Sequence, residues 1–134
     1  MRVTGTVPVT LPVTLLTSLN EEDLKEQGIN VSVEEFVVKK AIKAKQVGCD
    51  GIIASGREVE LIRRAVGDDF LIITPGIRPA GEATQDHKRA VTPRDSILAG
   101  ADYLVVGRPI TQASSPRDAA ESIIGEMQAA FDKR

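Results

Sequence analysis

Two arginines, each two positions or fewer beyond a glycine at the end of an apolar run, are the residues best suited to chemistry in this sequence. They lie in Thr74-Pro75-Gly76-Ile77-Arg78-Pro79 and in Gly107-Arg108-Pro109-Ile110-Thr111. A guanidinium fork matches the oxygens of a phosphate in bidentate fashion, and a nearby glycine lets backbone N–H groups approach the same anion. The chemistry expected is therefore grip on an anion such as phosphate or sulfate. Turn glycines followed by solvated arginines would explain either motif alone. Their recurrence in the same relation to an apolar run argues against that plainer reading.

Other polar residues are more ambiguous. Thr17 and Ser18 close the run that begins at Val13, a position suited to contact with a ligand. Capping of the next helix by Ser18 or Asn20 competes with that role and is locally the stronger reading. His87, the single histidine, sits with Lys88 and Arg89 in the polar stretch from Pro79 to Val91. This stretch exceeds the roughly two to six residues of most strand-to-helix loops, which predicts a lid; a bare histidine there is more commonly a solvated surface residue. Glu58 reads as the capping-box partner of Ser55. Cys49, the single cysteine, reads as a small packed thiol, and no His or Cys cluster around it could hold a metal. No apolar run ends in a lysine or carboxylate, so a general acid or base is missing from the places where it would be expected.

The elements that must position these residues are legible in the apolar pattern. Val13 to Leu16, Gly51 to Ala54, Phe70 to Ile73 and Tyr103 to Val106 do not alternate with polar residues, as expected of parallel strands covered on both faces. Between them the spacing predicts helices over 34–47 (with Ser32 and Glu35 as a capping box), over 57–66, from Thr92 to Ala99 with Pro93 at its first position, and from Ser115 to about Lys133, besides a short one starting at Asn20. Gly48 to Ser55 and Gly100 to Gly107 echo each other as one repeated unit.

Strict alternation implies a parallel α/β sheet, either doubly wound or part of a (β/α)8 TIM barrel. A closed barrel needs about 200 residues at the least, and this chain has 134. The expectation is a single domain over residues 1–134: a half-barrel of about four parallel strand-helix units, preceded by an extended arm over 1–12 punctuated by Pro8 and Pro12. Four strands cannot close a barrel, so exposed edges predict self-association into a homodimer or a higher homo-oligomer.

Composition removes several function classes. A formal charge of -2 and 3% aromatic residues offer neither the basic surface nor the stacking rings of a nucleic-acid binder. No apolar run approaches a membrane span and the first residues lack a signal pattern, so the expected setting is cytoplasmic, without membrane contact.

Taken in order, the motifs resemble the C-terminal half of orotidine 5'-monophosphate decarboxylase of the bacterial type. The resemblance rests on Val13 to Leu19 (VTLLTSL), Gly51-Ile52-Ile53-Ala54-Ser55, Thr74 to Pro79, Asp86-His87-Lys88-Arg89, Thr92-Pro93 and Gly107 to Thr111, and so covers nearly the whole chain. It implies a (β/α)8 barrel that works as a dimer and converts orotidine monophosphate to uridine monophosphate, a carbon–carbon lyase step of pyrimidine biosynthesis that uses neither metal nor organic cofactor. By the same resemblance Arg108 and the Gly107 backbone would bind the 5'-phosphate, Arg78 would stand at the base of the lid and Thr17 near the pyrimidine. His87 occupies a place where the family usually has glutamine, and would keep one hydrogen bond to phosphate or ribose. The family's catalytic Asp-x-Lys-x-x-Asp array is reproduced neither by Glu22-Asp23-Leu24-Lys25 nor by Asp86-His87-Lys88, so the resemblance assigns no catalytic residue here. The expectation is a phosphate-binding half that is inactive alone. A non-catalytic phosphate-binding or self-assembling half-barrel module and a fragment of a related sugar-phosphate decarboxylase are the alternatives.

Overall fold

Isoleucine-rich runs build the centre of the computed structural model, which describes residues 8–79 and 91–133. β1 (Gly51–Ile53), β2 (Leu71–Thr74) and β3 (Tyr103–Leu104) form one parallel sheet in the order β1-β2-β3. Their register sets Ile53 beside Ile73 and Ile73 beside Tyr103. Neighbours in sequence are neighbours in space, and the order never reverses. A doubly wound sheet has a switch point where it does reverse; none lies within these three strands, an order shared by the wall of a barrel.

The run predicted as a strand from Val13 to Leu16 becomes a single parallel bridge, Val13 to Ile53. Ile53 N donates to Pro12 O at 2.9 Å and Thr14 N to Ile53 O at 3.0 Å. Pro12 has no N–H to continue that ladder, and the Thr14 hydroxyl turns to the same carbonyl, at 3.0 Å. Thr10 N donates to the Asp50 carboxylate at 2.7 Å, so residues 10–14 run beside β1 as the fourth position of the wall. Residues 1–7 lie outside the described residues.

The helices are α1 (Glu21–Glu26), α2 (Val33–Gln46), α3 (Val59–Val66), α4 (Pro93–Ala99), α5 (Arg108–Thr111) and α6 (Pro116–Phe131). Their starts follow the capping residues. Asn20 accepts from the backbone of Glu22 and Asp23, while the Asp23 carboxylate takes Asn20 N at 2.7 Å, a complete capping box. At α2 only half of the expected box forms: Ser32 accepts from Glu35 N, and the Glu35 carboxylate pairs with Lys39 instead, at 2.6 Å. Thr92 caps α4 with Pro93 in its first turn, and Gly100 ends it in the left-handed region at φ 113°. The α5 turn was not legible in the sequence pattern, being four residues long.

One face of the sheet is covered. Leu24, Val37, Ala41, Ile52, Val59, Ile62, Val66 and Ile72 belong to a single buried cluster between helices and strands; each valine, leucine or isoleucine so buried contributes roughly 1.5–3 kcal/mol. The other face is open at its rim, where Tyr103 and Val105 are 59% and 53% exposed. No helix among the described residues is long and apolar enough to cross a membrane.

Polar ties fasten the helices to the N-terminal ends of the strands. Lys45 of α2 donates to Val66 O at the end of α3 and to the Asp69 carboxylate at 2.6 Å. The Lys45 hydrogen bond and charge hold Asp69 below the ordinary aspartate value of 3.8. A lowered carboxylate pKa gives stability that is present above the unfolded value and is lost as pH falls through the folded one. Comparing thermal midpoints of the wild type and Asp69→Asn from pH 6 down to pH 2 should show the wild-type advantage begin to decline only below about pH 4 and disappear once Asp69 is protonated, and shrink in high salt. A difference that persists at pH 2 would contradict the assignment.

Candidate functional site

The C-terminal ends of the strands gather the candidate residues, because each strand opens there into the loop that carries its motif. After β2 the chain turns at Gly76, whose φ of 75° lies in the region that only glycine adopts freely. A Cβ built on Gly76 would stand 3.3 Å from Thr17 Cγ2 and 3.5 Å from Thr17 Oγ1. The loop therefore passes directly over Thr17, joining two motifs far apart in sequence. Thr17 is buried and Ser18 exposed, so Thr17 is the hydroxyl that faces this loop. Neither caps α1, since Asn20 does so.

Ile77 forms a parallel bridge with Val91, and Arg78 N donates to Val91 O at 3.0 Å. These bonds pin together the two ends of the Pro79-to-Val91 stretch. Arg78 stands at this base, half-buried, with Nη1 donating to Ile77 O at 2.6 Å. His87, Lys88 and Arg89, with the rest of the predicted lid, fall outside the described residues.

After β3 the chain reaches Gly107, the N-cap of α5, and Arg108 is the first residue of that turn. A Cβ at Gly107 would meet nothing within 4 Å among the described residues, so no packing among them demands a glycine there. What the missing side chain leaves open is backbone approach from outside. Arg108 is half-buried at this rim.

The structure corrects the reading of Glu58. It is not the capping-box partner of Ser55: α3 begins at Val59, Glu58 is itself the N-cap, and its side chain makes no cap bond. Instead its carboxylate is buried, 2% exposed, in the loop that follows β1. The Ser55-to-Glu58 spacing looks like a box only if the helix starts three residues earlier. Ser55, Thr74 and Thr17 are buried at the same end of the sheet, and the Thr74 hydroxyl oxygen has no hydrogen-bond partner among the described residues. Burying polar groups is costly unless their interactions are used. This end of the wall thus combines an open, arginine-bearing rim with polar groups beneath it. Such an arrangement can hold an anionic ligand and orient the part of it nearest the sheet.

Comparison with known proteins follows the same line. The family model described as the orotidine 5'-phosphate decarboxylase / HUMPS family matches residues 7–123. Over 119 residues the chain is 56% identical to the orotidine 5'-phosphate decarboxylase of Geotalea daltonii, covering 89% of this chain and 50% of that protein. With the enzyme of the same name from Syntrophotalea carbinolica it shares 52% identity over 126 residues, 94% of this chain and 52% of that one. Among solved structures, orotidine 5'-phosphate decarboxylase from Lactobacillus acidophilus superposes with a TM-score of 0.77 at 41% identity, covering 93% of this chain and 51% of that one. The Pyrococcus horikoshii enzyme gives 0.58 at 29% identity, over 75% and 46%. The chain spans about half the length of the curated relatives it matches, and its wall of consecutive parallel strands is a partial (β/α)8 barrel.

Proposed function

Because this chain belongs to the orotidine 5'-phosphate decarboxylase / HUMPS family, we propose that it is the phosphate-binding half of an orotidine 5'-phosphate decarboxylase, a lyase of pyrimidine biosynthesis. The observation that carries this reading is the meeting of Gly76 with Thr17 at the same end of the sheet where Gly107 and Arg108 follow β3. In this reading the Arg108 guanidinium and the Gly107 backbone take the 5'-phosphate. Arg78 secures the loop base, and Thr17 lies toward the pyrimidine. His87, in place of the family's usual glutamine, donates one hydrogen bond to phosphate or ribose.

The sequence contains no Asp-x-Lys-x-x-Asp array, so the groups that would stabilise and protonate the carbon left by carbon dioxide come from elsewhere. Binding energy on a remote phosphate can be used to drive chemistry at the reacting ring. That grip is the contribution assigned to this half, and no metal or organic cofactor is part of it. A cytoplasmic setting belongs to the same reading, supported by the single cysteine and the absence of any disulfide framework.

Calorimetric titration tests the proposal. Uridine monophosphate should bind at least about tenfold more tightly than uridine, since a charge-assisted hydrogen bond contributes about 1.5–3 kcal/mol. The purified chain should release no carbon dioxide from orotidine monophosphate. Equal affinity for nucleoside and nucleotide would refute the phosphate assignment, and measurable turnover would refute the catalytic one.

A further inference from the structure

The loop after β1 presses on the far end of the loop after β2 through one close contact. Gly56 is buried there. A Cβ built on it would overlap Val91 Cγ2, and would stand 2.9 Å from Ser96 Oγ and 3.2 Å from Val91 Cβ. Non-bonded carbons rest about 3.5–4.0 Å apart, so a side chain at this position fits only if a neighbour moves. Neither neighbour moves freely. Valine is branched at Cβ and stiff about χ1. Ser96 is buried, and its hydroxyl donates to Thr92 O at 3.0 Å, the carbonyl that also accepts Ser96 N at 3.1 Å. The Thr92 hydroxyl in turn caps α4. The backbone of Gly56 does not lie in the left-handed region, so it is the close approach that calls for glycine here.

Val91 passes this contact on to a residue of the candidate site. Its carbonyl accepts Arg78 N at 3.0 Å, next to the parallel bridge between Ile77 and Val91. That bridge stands outside the three-stranded sheet, so the β1-β2-β3 ladder does not itself hold Arg78. Pushing Val91 away from Gly56 would draw its carbonyl off the Arg78 amide or carry Arg78 with it. Either movement displaces the guanidinium at the rim.

We propose that Gly56 is a positioning residue for Arg78: its missing side chain seats Val91, and Val91 fixes where the Arg78 backbone sits. The consequence for nucleotide affinity rests on the phosphate-binding reading above, whereas the placement of Arg78 is independent of it.

Amide hydrogen exchange followed by NMR on the ligand-free chain tests the contact directly. Gly56→Ala should speed exchange at Arg78 by about tenfold or more, as expected of a local opening, and leave Asp102 nearly unchanged. The Asp102 N–H bonds to Ile72 O at 2.9 Å at the other end of the strands, so it reports on the fold as a whole. Adding Val91→Ala removes the overlapping Cγ2 and should restore most of the protection at Arg78. A merely structural role would move both amides together. Calorimetry then reads the consequence: affinity for uridine monophosphate should fall severalfold in Gly56→Ala and recover in the double variant. Unchanged exchange at Arg78 in Gly56→Ala would overturn the proposal, as would a double variant that fails to restore it. If Gly56→Ala alone does not fold, the double variant must fold and protect Arg78, and one that does not refutes the contact equally. Altered exchange with unchanged nucleotide affinity would reduce Gly56 to packing and also overturn the proposal. A wild type that binds uridine and uridine monophosphate equally refutes the phosphate reading instead, and exchange at Arg78 then decides the positioning role by itself.

Discussion

Arg63→Ala should lower the unfolding free energy by about 3–5 kcal/mol, the range for breaking a buried, hydrogen-bonded ion pair, and the thermal midpoint by roughly 10–18 °C. The Arg63 side chain is only 11% exposed, and its guanidinium serves four acceptors. Nη1 donates to Gly67 O at 2.8 Å and Phe70 O at 2.7 Å, and Nη2 to Gly100 O at 2.8 Å and the Asp102 carboxylate at 2.6 Å. The same carboxylate oxygen accepts from Ile72 N at 2.8 Å. One side chain on α3 thus ties the loops entering β2 and β3 to each other and fixes where those strands begin. Alanine leaves three carbonyls and a carboxylate to find other partners, and some of them are buried. Arg63→Lys should recover little, because a point charge on a flexible stem cannot reproduce the planar fork. Adding Asp102→Asn to Arg63→Ala should cost less than the sum of the two single losses, since the acid left behind no longer needs its partner. Urea unfolding followed by circular dichroism would measure all four variants. A loss below 1 kcal/mol for Arg63→Ala would show that water replaces the network. These contacts lie at the opposite end of the strands from the arginine-bearing rim, so the folded fraction of Arg63→Ala should bind uridine monophosphate as the wild type does.

Arg108→Ala reverses that pattern. It should raise the dissociation constant for uridine monophosphate by about 10- to 150-fold, corresponding to about 1.5–3 kcal/mol for a lost charge-assisted contact to phosphate, while moving the thermal midpoint little. Arg108 opens a four-residue turn beside a glycine whose missing side chain would meet nothing within 4 Å among the described residues. In the proposed site its guanidinium takes the incoming phosphate. Arg108→Lys should restore part of the affinity, keeping the charge and losing the bidentate geometry. Arg78→Ala should have the smaller effect on the phosphate, because that guanidinium donates to the Ile77 carbonyl at the loop base. Titration of the three variants with uridine monophosphate at fixed ionic strength would order them. Unchanged affinity in Arg108→Ala would remove it from the site, and a larger loss at Arg78 would exchange the two roles.

Much of this was legible in the sequence because local physics dictates it. The unbroken apolar runs at Gly51, Phe70 and Tyr103 could only be strands covered by helices. Asn20, Ser32 and Thr92 marked helix starts through the short-range hydrogen bonds their side chains make, and the ordered motifs from Val13 to Thr111 identified the family. The tertiary structure alone decided where groups distant in sequence would meet. Spacing cannot show that Gly76 lies over Thr17, or that Arg63 gathers carbonyls from two loops, because both depend on the packing of whole elements. The reduction of the first strand to a bridge follows from Pro12 facing β1, which requires knowing the register. Glu58 makes the same point: its spacing from Ser55 imitates a cap, and only the true start of α3 turns it into a buried residue of the loop after β1.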